Sequence, residues 1–198
     1  QHFPDAKSWQ LSDWHRLKLR LIQRQPALQH DTGLARQMML EHGLVELGYD
    51  SAKAKAGARA VLEHFLTHRS QFSVSKEVLE MLEQLKQDYR LIGITNGNVD
   101  HQRIGLAGVL EFVLHPGQGV KQKPATDMFS LAAKRLDIPL QQMLHVGDSA
   151  SSDVGGARLA GCQAVWLNPG FGVTKEAALT RSLPHIEIRN IQQLLMLI

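Results

Sequence analysis

Leu144-His145-Val146-Gly147-Asp148-Ser149-Ala150-Ser151-Ser152-Asp153-Val154-Gly155-Gly156-Ala157 decides the fold, because a short apolar run passes into an acidic, serine-rich loop and then a small-residue helix. Leu144 and Val146, with Met143 before them, predict a buried strand. Gly147 predicts a sharp turn after it. That turn sets Asp148 and Asp153 at the strand's carboxyl end, where parallel α/β sheets bind their ligands. Two carboxylates five residues apart, flanked by Ser149, Ser151 and Ser152, suit a hard cation such as magnesium, which takes oxygen ligands and keeps some of its waters. Asp153 is also expected to cap the helix that follows.

Outward from this stretch, residues 73–198 alternate short apolar strands with helical patterns, which signals a parallel sheet with crossover helices. Helices are expected at 76–87, 101–106, 126–136, 154–160 and 191–197. Strands are expected at 90–94, 112–114, 144–146, 164–167 and 186–188, and Pro116-Gly117-Gln118-Gly119 reads as a loop. Residues 5–72 hold three helical patterns and no strand pattern. The first spans about 11–23 with Ser12 as N-cap. The second spans about 31–47, with Leu34, Met38, Leu44 and Leu47 near one face and a weak point or stop at Gly43. The third follows Asp50-Ser51, and its alanines predict close packing. The change near residue 72 divides the chain into a helical cap domain, 1–72, and a Rossmann-like core, 73–198.

A chain of 198 residues that is 43% hydrophobic can bury a substantial core. Its net charge of +3 comes from basic residues interleaved with acidic ones, which argues against nucleic acid as a partner. Arg16 and Arg20 on the first helix read as a solvated face. Cys162 is the one cysteine, so no intramolecular disulfide forms and a reducing, cytoplasmic compartment is expected. No apolar run approaches the roughly 18 residues of a membrane span, so no membrane partner is expected. The sequence leaves the oligomeric state open.

Three strand ends bring chemistry to one sheet edge: Thr95-Asn96-Gly97, Lys123, and Asp148 with Asp153. A phosphoryl group calls for hydroxyl and backbone N–H donors, a cation that stays charged at neutral pH, and a metal held by carboxylates. Asn98 and Pro169-Gly170-Phe171-Gly172 also lie near strand ends and are candidates to touch substrate. His64 and His68 have the spacing of a zinc pair but lack a third ligand, so they are not read as a metal site. His145 reads as packing, and Cys162 as buried rather than reactive.

At these motifs the chain resembles the haloacid dehalogenase-like hydrolase superfamily. The matching pieces are Thr95-Asn96-Gly97 after a hydrophobic strand, Lys123-Pro124 with Phe129 following, and Gly147-Asp148 with Asp153. The resemblance implies a Rossmann-like α/β core with helices on both faces, and it makes the helical module the cap of one subgroup. It also implies a magnesium-dependent phosphatase that works through an aspartyl phosphate. Thr95, with the backbone of Asn96 and Gly97, would bind the phosphoryl oxygens. Lys123 would neutralise charge, Asp148 would ligate magnesium, and Asp153 would hold a metal-bound water or orient Lys123.

Within the superfamily, Ile94-Thr95-Asn96-Gly97-Asn98, Leu144-His145-Val146-Gly147-Asp148 and Leu183-Pro184-His185 are similar to bacterial phosphatases of small metabolites. Their substrates are sugar phosphates, flavin mononucleotide and the ribitylaminouracil phosphate of riboflavin synthesis. The superfamily's first motif, Asp-x-Asp on a central N-terminal strand, does not occur in these residues. The resemblance therefore implies a nucleophile and a strand ahead of Gln1, without which the chain is expected to be inactive. The alternatives are a non-catalytic interaction protein built on this fold and a metal-free dehalogenase of the same superfamily.

Overall fold

Asp13 lies three residues inside the first helix and reaches back to its start. In the computed structural model, which describes residues 3–168 and 182–197, the N–H of Gln10 donates to Asp13 Oδ2 at 2.7 Å, and α1 (Leu11–Arg24) begins there. The N-cap is therefore Gln10, not Ser12, because the acid satisfies the cap's own backbone donor. Asp31 opens α2 (Thr32–Glu46) by accepting from Leu34 N at 2.9 Å, and Asp50 opens α3 (Ser51–Arg69) by accepting from Lys53 N at 2.9 Å.

Leu17, Leu21, Leu28 and Ala35 form the apolar centre of this helical module. On α1, Arg16 pairs with Asp13, and Arg20 bonds Glu46 of α2 at 3.0 Å across the exposed face. Against α2, α3 lies close enough that Ala54 and Ala58 are fully buried. Gly43 neither weakens nor stops α2. The Trp14 ring occupies its side, and a Cβ on Gly43 would stand 2.3 Å from Trp14 Cζ3. Ala35, Gly43 and Leu44 are the buried residues of α2 and Met38 packs against the module's apolar centre, whereas Leu34, expected on that face, is exposed.

After α4 (Lys76–Leu85), capped by Ser75, the chain alternates as expected. β1 (Gly93–Ile94) pairs in parallel with β2 (Val113–Leu114), Gly93 opposite Val113. The strand expected at 90–94 keeps only two laddered residues, extended at either end by Glu111 N to Leu91 O (2.8 Å) and Thr95 N to Leu114 O (3.1 Å). β3 (Leu144–Gly147), β4 (Gln163–Leu167) and β5 (Ile186–Ile188) make a second parallel sheet, with Val146 opposite Val165 and Trp166 opposite Glu187. Between β2 and β3 runs α5 (Asp127–Leu136). A wide turn, Ala150–Gly155, precedes α6 (Gly156–Ala160), so the helix expected at 154–160 starts later. The terminal helix is a 3-10 segment, Ile191–Met196, capped by Asn190.

The strand order is β2-β1 in one sheet and β3-β4-β5 in the other. Among the described residues β1 and β3 share no ladder, although Lys123 Nζ lies 2.6 Å from Ile94 O and 3.5 Å from His145 Nε2. β3 is consequently a sheet edge. The burial expected for it fails at Leu144, which is 41% exposed, and is only partial from His145 to Gly147. The main core lies instead under α5, where Met128, Phe129 and Ala132 are fully buried with Ala157 and Ala164. No helix among the described residues is long and apolar enough to cross a membrane.

Helix propensity alone makes Gly43→Ala stabilising by about 1 kcal/mol. The Trp14 ring reverses that sign, since overpacking destabilises by roughly 1–3 kcal/mol. Urea denaturation of Gly43→Ala is expected to show a lower midpoint at unchanged slope.

Candidate active site

Gly147 has no Cβ, and that fixes where Asp153 goes. A Cβ there would stand 2.3 Å from Asp153 Cγ, so glycine admits the carboxylate over the strand end. This close approach, rather than a sharp turn, is what requires glycine at 147. Asp153 Oδ2 accepts from Ser149 N at 2.9 Å, and Oδ1 accepts from Lys123 Nζ at 2.5 Å and from His145 Nε2 at 3.1 Å. Burial pushes the Asp153 pKa up. The His145 bond, the Lys123 charge and bond, and the Ser149 N–H together outweigh burial and hold the carboxyl well below the usual carboxylate range. The capping expected of Asp153 falls to Ser149, whose Oγ accepts from Ser152 N at 3.1 Å.

Lys123 is as buried as its partner, each residue about 7% exposed. Its ammonium also donates to Ile94 O at 2.6 Å, and its backbone is clamped by the Asn96 side chain. Asn96 Nδ2 donates to Lys123 O at 2.9 Å while Asn96 Oδ1 accepts from Lys123 N at 2.8 Å. The Asn96 amide therefore positions Lys123. Thr95 Oγ1 accepts from Gly97 N at 2.9 Å, which leaves the hydroxyl proton to donate elsewhere.

His145 does pack, edge-on against Phe129 at 5.0 Å and 84°, but its bond to Asp153 makes it part of the site. The signal for this was one ring nitrogen donor in an apolar strand next to Gly147-Asp148. With Nε2 carrying the proton, His145 and Lys123 are two donors on one carboxylate oxygen.

Asp148 stands apart from this cluster. It is exposed, its carbonyl accepts from Trp166 Nε1 at 3.0 Å, and its carboxylate has no ion pair among the described residues. The donor set fits magnesium in kind, with oxygen ligands only and one carboxylate free to bind. No group of three or more acidic, His or Cys side chains converges among the described residues, so a cation here would keep waters or take oxygens from substrate. Of the other candidates, His68 Nδ1 bonds the His64 carbonyl at 2.9 Å, with the two rings tilted at 45° and their centroids 3.9 Å apart. Burial pushes the Cys162 thiol up to about 11. The amide nitrogen of Asn98 is buried without a hydrogen-bond partner. Pro169-Gly170-Phe171-Gly172 lies outside the described residues.

The helical module meets this edge at two loops. Asp31 Oδ2 lies 2.8 Å from where a Cβ of Gly117 would be, and Arg69 Nη2 lies 3.6 Å from that position on Gly97. Sequence reasoning did not find Arg69, which carries no motif of its own.

Residues 13–161 match the haloacid dehalogenase-like hydrolase family. The chain belongs to the haloacid dehalogenase-like hydrolases. This hydrolase is 36% identical over 197 residues to the 5-amino-6-(5-phospho-D-ribitylamino)uracil phosphatase YigB of Escherichia coli, covering all of this chain and 83% of that protein. It is 32% identical over 145 residues to a phosphoserine phosphatase of Thermus thermophilus, covering 70% of this chain and 57% of that one. A crystal structure described as a 2-haloacid dehalogenase of Pseudomonas syringae superposes with a TM-score of 0.89 at 33% identity, over 98% of this chain and 82% of that one. The Rossmann-like α/β fold expected of the hydrolase is the fold it shares with that structure.

Removing one partner of a buried ion pair typically destabilises by about 3–5 kcal/mol. Asp153→Asn is expected to lose that much, because Lys123 keeps its charge inside, whereas Asp148→Asn should stay within about 0.5 kcal/mol as an exposed change. The depressed Asp153 pKa stabilises the fold above the ordinary carboxylate pKa, and that stabilisation is lost as pH falls through the folded value. Urea titrations of both variants at pH 7 and pH 3 check both statements, with the smaller gap between Asp153→Asn and the parent expected at pH 3.

Proposed function

We propose that this hydrolase is a magnesium-dependent phosphatase of small phosphate monoesters, with sugar phosphates, flavin mononucleotide and ribitylaminouracil phosphate as candidate substrates. The observation that carries the reading is the Lys123–Asp153 pair, which sets a buried ammonium against the Ile94 carbonyl, next to Thr95-Asn96-Gly97. YigB, whose similarity spans the whole chain, supports the substrate class. Residues 1–72 act as the cap over residues 73–198.

In this reading the Thr95 hydroxyl and the backbone N–H groups of Asn96 and Gly97 donate to the phosphoryl oxygens, and Lys123 offsets their charge. Asp148 would hold magnesium, and Asp153 would hold a metal-bound water or orient Lys123. Magnesium, when bound, withdraws charge from the phosphoryl oxygens in the transition state. The family's nucleophile would be an aspartate on a strand paired with the edges of β1 and β3, which share no ladder among the described residues. Its carboxylate attacks phosphorus, the alcohol leaves, and water cleaves the aspartyl phosphate. Such a phosphatase would serve riboflavin synthesis in the cytoplasm, a placement that the single buried Cys162 supports.

The similarity to a dehalogenase structure favours a second reading, hydrolysis of a 2-haloacid. Dehalogenases of this superfamily carry no metal, and the free carboxylate of Asp148 argues against it. The deciding experiment uses the natural gene product and measures phosphate release from a panel of esters, with magnesium and with chelator, beside halide release from 2-chloropropionate. Magnesium-dependent hydrolysis of several small esters is expected. Asp148→Asn and Lys123→Ala should each lower kcat/KM by about 10²-fold or more, and Lys123→Arg should not restore it, since the planar fork needs different room. Chelator-resistant halide release, or activity confined to phosphoproteins or nucleic acids, would overturn the proposal.

A further inference from the structure

Arg36 on α2 and Arg69 at the end of α3 converge on one aromatic ring. Arg36 Cζ lies 4.0 Å and Arg69 Cζ 5.9 Å from the centroid of Phe65. Among the described residues Arg36 and Arg69 pair with no acid, which is also true of Arg24, Arg135, Arg158 and Arg189, but Arg36 and Arg69 are the two that share one ring. Arg36 is half-buried. Burial and the neighbouring Arg69 charge both lower its pKa, as expected of two like charges held together without a counter-ion.

Position gives the pair its meaning. Arg69 Nη2 stands 3.6 Å from the Cβ position of Gly97, so the cluster borders the loop in which Thr95 is placed to bind phosphate. The next residue, Asn98, adds a buried amide donor without an acceptor. The half-buried Arg36 and the exposed Arg69, neither paired with an acid among the described residues, therefore lie together at the border of this loop. Guanidinium groups bind carboxylate and phosphate oxygens in a planar fork, and they do so most strongly where water is partly excluded.

We propose that Arg36 and Arg69, braced on Phe65, form a subsite for a second anionic group of the substrate, a carboxylate or a phosphate, while the scissile phosphate lies at Thr95. The proposal rests on the phosphatase reading above and narrows its substrate class to monoesters with a distal negative charge. The distal anion relieves the repulsion between the two arginines and does not take part in bond breaking. Its loss should therefore raise KM and leave kcat in place.

Two matched pairs test this with the natural gene product. 3-Phosphoglycerate against glycerol 3-phosphate probes a distal carboxylate, and fructose 1,6-bisphosphate against fructose 6-phosphate probes a distal phosphate. Arg36→Gln and Arg69→Gln should each raise KM for the member bearing the distal anion in at least one pair by about tenfold, the effect of one charge-assisted bond, with the member lacking it within about twofold. In the parent enzyme, KM for the member bearing the distal anion should rise more steeply with salt, a readout that needs no variant. Equal losses on both members would place the arginines on the reacting phosphoryl group and overturn the subsite, as would equal salt slopes.

If no ester is hydrolysed, calorimetric titration of the same four compounds separates the two ideas. Tighter binding of a member bearing the distal anion, lost in the double glutamine variant, supports the subsite while the phosphatase reading fails. Indifference to the distal charge overturns the subsite.

Discussion

The ion pair between Lys123 and Asp153 is the constraint on which the rest of the structure depends. A buried pair carries a desolvation penalty of several kcal/mol per ion and is tolerable only when its remaining donors and acceptors are satisfied. Here Asp153 takes three donors, and Lys123 adds the Ile94 carbonyl. Those partners belong to β1, β3 and the turn after β3, so one ammonium ties together two sheets that share no ladder. Gly147 clears the room for the carboxylate, and Asn96 fixes the backbone from which the lysine reaches. The residues that give the site its charge are thus the ones that hold its walls in register.

The helical module is joined to that frame by backbone as well as side chains. Ser70 Oγ accepts from Asp100 N at 3.0 Å, and Val74 N donates to Ile104 O at 2.9 Å, so the exit from α3 is anchored beside the Thr95 loop. Arg69 immediately precedes that anchor. A substitution in the connection at 70–74 would accordingly move Arg69 relative to Gly97 while leaving the Leu17 cluster intact.

Much of this was legible in the sequence, for identifiable reasons. The helices beginning near Asp31 and after Asp50-Ser51 were legible because their apolar period is local, and Thr95 and Asp148 stood out because each follows an apolar run, with Lys123 before Pro124 completing the set of motifs. What escaped was decided by contacts distant in sequence. Gly43 looked like a helix breaker until Trp14 filled its side, and Gly147 looked like a turn because nothing local shows the carboxylate six residues on folding back over it. His145 passed for packing, since its partner is known only once Asp153 has turned toward Lys123. Arg69 had no pattern at all, because its meaning comes from Gly97 lying across the module boundary.

Trp166 supplies a consequence of a different kind. Of the three tryptophans, Trp9 and Trp14 meet edge-on at 4.9 Å in the helical module, whereas Trp166 alone stands in the α/β part, its indole N–H bonded to the Asp148 carbonyl at 3.0 Å. An indole so attached is an optical gauge of the backbone that carries Asp148. With Trp9 and Trp14 changed to phenylalanine, the remaining ultraviolet emission would report any movement of that loop directly, without turnover and without an added dye.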